Sequence, residues 1–129
     1  MIAVDTNVVI RFLVRDDAKQ AARAAALIRD DEIWVSKTVL LETEWVLRSL
    51  YAFPPHRVAQ ALRGLAGLQT VFVEDELKVA KALDWLEGGL DFADALHLAS
   101  SERAVRFATF DHKLARQAKR LTTLGIISL

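Results

Sequence analysis

The opening stretch Met1-Ile2-Ala3-Val4-Asp5-Thr6-Asn7 constrains the fold more than any other. Small and branched apolar residues run into an acid and two polar residues. Val8-Val9-Ile10-Arg11-Phe12-Leu13 then repeats apolar positions at helical spacing. The pattern predicts a short buried strand, a tight turn and a helix, with Asp5 at the carboxyl end of the strand. In open parallel α/β sheets, ligands bind at that edge. Asp, Thr and Asn are also common helix caps, so a capping role for Asp5 stands beside the ligand-binding one.

The rest of the chain repeats the alternation. Asp16 and Asp17 break the first helix, and Ala18 to Arg29 is rich in helix formers. Ile33-Trp34-Val35 reads as a second buried strand, with Ser36 placed to cap a helix from about Lys37 to Tyr51. On that helix Glu42 lies three or four positions from Val39, Trp45 and Val46, which predicts a carboxylate sharing an apolar face. Glu44 falls on the other side, at i+4 from Arg48, and is expected to be solvated. Pro54-Pro55 stops one helix and starts another, in which Val58, Leu62 and Leu65 share a face. Val71-Phe72-Val73 is a strand candidate, Asp75 to Glu87 an amphipathic helix, and Gly88-Gly89 a break. Asp91 is placed to cap the next helix, with Asp94 in its first turn, where the helix dipole favours an anion. Val105 to Phe110 reads as a strand ending at Asp111, the arrangement of Asp5 over again. A basic helix follows, and Ile126 to Leu129 suggests a last strand. Strands alternating with helices predict an α/β fold with a mainly parallel sheet.

Composition narrows the function classes. A chain of 129 residues suits one domain, residues 1–129. It has no cysteine, which excludes disulfides and thiolate metal sites and is compatible with a cytoplasmic location. No apolar run approaches the roughly 20 residues of a membrane span. Net charge is zero, so any nucleic-acid contact must come from a local patch. Hydrophobic residues reach 53%, a modest excess that fits an oligomer or partner surface.

Two acids, Asp5 and Asp111, end separate strands. Two more, Glu42 and Asp94, lie near the starts of helices that can cover the same sheet edge. If they converge, their charges repel: a like pair at ~4 Å costs about 4 kcal/mol at an effective dielectric near 20. Such a cluster needs raised pKa values or a cation, and all-carboxylate ligands select a hard ion such as Mg²⁺ or Mn²⁺. His56, His97 and His112 show no zinc-ligand spacing, and the chain has no phosphate-binding glycine loop and no nucleophile elbow.

Val4-Asp5-Thr6-Asn7, Ser36 followed by Glu42, Asp91-x-x-Asp94-Ala95 and Thr109-x-Asp111 together resemble the PIN-domain nucleases, over essentially the whole chain. The length is similar to that of the VapC-type toxins of toxin–antitoxin pairs. The resemblance implies a three-layer α/β/α sandwich and a Mg²⁺- or Mn²⁺-dependent endoribonuclease. It further implies a homodimer held by a cognate VapB-type antitoxin. It assigns Asp5, Glu42, Asp94 and Asp111 to the catalytic quartet, with Asp5 and Asp94 the most direct metal ligands. Thr6, Asn7 and Thr109 match supporting polar positions, and Asp91 is either a further acid or only a cap. Arg11 with Arg15, and Lys113 with Arg116 and Arg120, form basic stripes suited to RNA phosphates.

Two other readings fit the same residues. One is a PIN nuclease of RNA processing without an antitoxin. The other is a non-catalytic binding domain whose acids serve only as caps and salt bridges. An aspartyl-phosphate phosphatase fits less well, because Asn7 stands where it would need a second acid.

Overall fold

The structure, a computed structural model, describes Met1–Leu129. Its elements follow in the order β1 (Ile2–Ala3), α1 (Thr6–Val14), α2 (Ala18–Asp30), β2 (Ile33–Val35), α3 (Lys37–Ser49), α4 (Pro55–Ala66), β3 (Val71–Val73), α5 (Glu76–Glu87), α6 (Phe92–Ala99), β4 (Arg106–Thr109), α7 (His112–Leu121) and β5 (Gly125–Ser128). Every strand pairing is parallel. The chain is therefore α/β with parallel strands and many helices. It divides into two compact units, Met1–Glu76 and Leu77–Leu129.

In the first unit the strands run in the order β1-β2-β3, with Ile2 opposite Ile33 and Val35 opposite Val73. Ile33 and Val35 of the middle strand are fully buried. Each such side chain contributes about 1.5–3 kcal/mol of burial. Val9 and Ile10 of α1, Leu40 and Leu47 of α3, and Val58, Leu62 and Leu65 of α4 complete this core. Chain breaks are set locally. Ser36 caps α3 by accepting from the Val39 amide, Pro55 opens α4, and Arg15 closes α1 in the left-handed region at φ 60°.

Two expectations fail here. The first strand is not buried: Ile2 and Ala3 are exposed, and burial begins at Val4. A two-residue strand that pairs on one side only, with β2, has too little surface to cover. The faces of α3 are also the reverse of those expected. Leu40, Thr43, Glu44 and Leu47 form the buried stripe at i, i+3, i+4, i+7, while Glu42 and Trp45 are exposed. Glu44 is thus buried, not solvated. Its charge is met by Arg48, whose Nε donates to Glu44 Oε2 at 2.8 Å, the i, i+4 pair that the sequence suggests.

In the second unit β4 and β5 pair in parallel, from Arg106 opposite Gly125 to Thr109 opposite Ser128. Strand β4 stops at Thr109, one residue short of the expected Phe110, whose side chain is exposed. Helix α7 packs on both strands through Leu114, Ala115 and Ala118. Helix α6 buries Phe92, Ala95, Leu96, Leu98 and Ala99. No helix is long and apolar enough to cross a membrane.

Candidate active site

In the first unit, the turn from β1 into α1 places Asp5 at the helix N-cap, with extended backbone at φ −92°. Its Oδ1 accepts the Val8 amide at 3.1 Å. Thr6, the first helical residue, is buried, and its hydroxyl donates to Oε1 of Glu42 on α3. Helices α1 and α3 pack together, so residues 36 apart in sequence meet. Glu42 is thereby tied to Thr6, the residue next to Asp5. Each carboxylate has one oxygen in a described hydrogen bond and its other oxygen left to accept.

The second unit repeats the device twice. Asp91 caps α6, its Oδ2 accepting the Asp94 amide at 3.1 Å. Asp111 caps α7, its Oδ1 accepting the Leu114 amide at 3.0 Å. Thr109 Oγ1 accepts the Asp111 amide at 3.0 Å, which fixes the bend between β4 and α7. Asp94 sits in the first turn of α6. Burial raises its carboxyl above the ordinary aspartate value, and the charges of Asp91 and then Asp111 raise it further, against a smaller opposing effect of His97. Three acids of this unit therefore share one electrostatic neighbourhood.

Each unit thus brings expected acids together: Asp5 with Glu42, and Asp94 with Asp91 and Asp111. The donors are carboxylates and hydroxyls, which suit a hard cation and no soft one. Neither unit gathers three Asp, Glu or His side chains closely enough to hold an ion unaided. Mg²⁺ does not demand that, since it binds through one or two carboxylates and keeps several waters or substrate phosphates.

The basic stripes separate. Arg11 Nε donates to Gln20 at 2.7 Å and its Nη1 to Asp16 at 3.1 Å, while Arg15 donates to the Phe12 carbonyl and lies over the Phe12 ring. Asp16 is in turn bound by the Tyr51 hydroxyl at 2.8 Å, the main cause of its lowered pKa. The first stripe is engaged within the protein. Lys113, Arg116, Lys119 and Arg120 of α7 are exposed and in no ion pair.

Sequence reasoning missed Gln20 and Arg23, which line a cavity of about 360 Å³ with Asn7 and Arg11 between α1 and α2. The available signal was weak, one of two arginines on an Ala-rich helix. It also missed the direct Thr6–Glu42 bond, which no local spacing encodes. Among the aromatic residues on and near the early helices, Trp34 and Trp45 are exposed. Tyr51 is bound to Asp16, and the Phe53 ring lies under Arg57 at 3.8 Å.

Comparison with known families matches residues 2–120 to the PIN domain. Comparison with curated proteins returns no match.

Proposed function

Because the chain belongs to the PIN-domain family, whose members are generally nucleases, we propose that it is a Mg²⁺- or Mn²⁺-dependent endoribonuclease, and the toxin of a VapBC-type toxin–antitoxin pair. In this reading residues 1–129 form one nuclease domain, Asp5, Glu42, Asp94 and Asp111 are its catalytic acids, and Asp5 and Asp94 hold the ion. The carrying observation is the Thr6 hydroxyl bonded to Glu42 beside the Asp5 cap. The bond satisfies a buried hydroxyl and at the same time orients an exposed carboxylate next to Asp5.

The ion, when bound, neutralises charge on the phosphoryl oxygens and lowers the pKa of water. The protein's own groups do the rest. Thr6 fixes the Glu42 carboxylate through Oε1, which leaves Oε2 to orient the attacking water and accept its proton. Asp111, with one oxygen on the Leu114 amide, presents its second oxygen for the same duty. The unpaired cations of α7 hold substrate phosphates. No covalent intermediate with the protein is required.

One observation favours a competing reading, that the acids are only caps: Asp5, Asp91 and Asp111 all accept backbone amides. Capping and catalysis use different oxygens of each carboxylate, so the two are separable. The test is cleavage of single-stranded RNA by wild type and Asp5→Asn, with Mg²⁺ and with excess chelator. Asparagine caps as well as aspartate, so activity that survives in the variant or in chelator overturns the nuclease mechanism.

The antitoxin and the homodimer rest on the family's VapC-type members and on exposed apolar residues of the first unit, Trp45 at 53% and Leu50 at 69%. Co-expression with a small neighbouring gene should relieve growth inhibition, and the two proteins should co-purify. A wild-type protein that is harmless and purifies alone from its native source removes the toxin reading and leaves RNA processing without an antitoxin.

A further inference from the structure

Helix α5 ends in a turn that builds a second pocket. The Leu90 amide donates to the Trp85 carbonyl at 2.9 Å and the Gly89 amide to the Leu86 carbonyl at 3.0 Å, with Gly89 at φ 104°. This is the Schellman ending, in which a left-handed residue after the helix folds the chain back over its last turn. The turn holds Trp85 and Leu90 as one wall of a cavity of about 410 Å³, and Gln117, Arg120 and Leu121 of α7 form the other. Asp84 also lines it. The cavity lies wholly within the second unit.

Its walls fit one kind of occupant. Trp85, half-buried, offers an aromatic face, and Gln117 offers an amide. The Asp84 carboxylate disfavours a phosphate in the cavity itself. Outside, the cations Lys113, Arg116 and Arg120 run along α7 at i, i+3, i+7, without ion pairs. That stripe begins two residues after Asp111 and ends at the cavity rim. Apolar and hydrogen-bonding walls inside a cationic border match an unstacked base on a phosphate backbone. Single-stranded RNA is read in this way, by bases laid on aromatic or arginine planes.

We propose that the cavity between Trp85 and α7 is a base-binding subsite for single-stranded RNA, with Arg120 at its rim on the adjoining phosphate. Arg120 lies nine residues past Asp111, about 13 Å along the helix at 1.5 Å per residue. The subsite therefore takes a nucleotide that flanks the cut and not the reacting one. This rests on the ribonuclease reading above for its substrate class.

The test measures binding of a fluorescent, mixed-sequence single-stranded RNA dodecamer by anisotropy, in the Asp5→Asn background and in chelator so that the probe stays intact. A second probe has the same backbone with its bases removed. Trp85→Leu should weaken binding of the normal strand by roughly 5- to 150-fold, the range for loss of one stacked base, and leave the abasic strand unaffected. Trp85→Phe should retain most of the affinity. Arg120→Ala should weaken binding of both strands and lower the slope of log K against log salt by about 0.7. Gln117→Trp, which fills the cavity from the opposite wall, should reproduce Trp85→Leu, and it decides the matter if Trp85→Leu does not fold. Unchanged binding of the normal strand by folded Trp85→Leu or Gln117→Trp overturns the subsite, as does equal loss on both strands with Trp85→Leu. Intact cleavage with no effect of Trp85 removes the subsite alone. Trp85-dependent binding by a protein that cleaves no RNA removes the nuclease reading and keeps the subsite.

Discussion

The chain has two helices headed by an acid at the end of a strand, α1 behind Asp5 and α7 behind Asp111, and they treat their cations oppositely. Both acids accept the amide three residues on, at 3.1 and 3.0 Å. On α1 and its C-cap the arginines bind local partners: Arg11 to Asp16 and Gln20, Arg15 to a carbonyl and a ring. On α7 four cations face solvent without ion pairs. The same local motif thus supplies a braced acid in one unit and an acid beside a cationic face in the other. Exposed ion pairs contribute little stability, so the α1 network is better understood as fixing side-chain positions. Unpaired charges leave α7 free to recruit an anion.

The largest expected effect would break the equivalence of the two acids with mere caps. Asp5→Asn and Asp111→Asn should each keep the fold, since asparagine caps equally well. Each should lose more RNA cleavage than the roughly 10–100-fold that removal of a supporting partner costs. Near-wild-type rates in both variants would reduce α1 and α7 to capped helices and nothing more.

Next in size is the brace. Thr6→Val keeps the shape and loses the hydroxyl that holds Glu42. Cleavage should fall about 10–100-fold, with binding of uncut RNA unchanged, because Thr6 is buried and its hydroxyl is spent on Glu42. An equal loss in binding and rate would mean that Thr6 acts through the fold and not through Glu42.

Much of the fold was legible from sequence, and the gaps have a common cause. Strands β2 and β3 are three-residue branched apolar runs with strong flanking signals, and both fall where expected. Ser36, Asp91 and Asp111 are caps whose partners lie three residues away, a range that sequence spacing resolves. The exposure of Ile2 depends on strand order, which is non-local. Helix α3 carries two apolar stripes, Val39 with Trp45 and Val46, and Leu40 with Leu47. Periodicity alone cannot say which stripe packs inward. The buried stripe also contains Glu44, tolerated there because Arg48 supplies a matching charge at i+4. Thr6 and Glu42 had separate roles in sequence, and their bond across 36 residues became visible only in the fold.

A smaller effect sharpens the contrast between paired and unpaired cations. The double variant Lys113→Ala/Arg116→Ala should lower the salt slope of RNA binding by about 1.4, at 0.7 for each phosphate no longer neutralised, and leave the melting temperature nearly unchanged. Arg11→Ala should leave that slope alone. Titrating binding of single-stranded RNA against salt distinguishes them, and a slope that follows Arg11 instead would reverse the assignment of roles.

The smallest effect concerns Asp94, where the acids of the second unit crowd together. Burial, then Asp91, then Asp111 raise its carboxyl above the ordinary value of 3.8. The folded chain therefore keeps that proton to a higher pH than the unfolded chain. Between 3.8 and the raised native value the native state binds more protons, so stability is full below this window and declines as pH rises through it. Above it the ionised carboxylate is a net cost to the metal-free fold. Asp94→Asn removes that cost at constant shape. Without metal near pH 7 it should melt at or a few degrees above wild type, and the advantage should vanish near pH 3, where Asp94 is neutral in both states. Saturating Mg²⁺ should reverse the order. An ion at ~100 times its dissociation constant adds about 2.7 kcal/mol to a protein that binds it, and the variant should gain less. Melting curves at both pH values, with and without Mg²⁺, decide the point. A metal-free variant that melts below wild type near pH 7 would show that the Asp94 charge stabilises its helix, as an acid in a first turn does, and would remove crowding of the acids as an argument for a cation there.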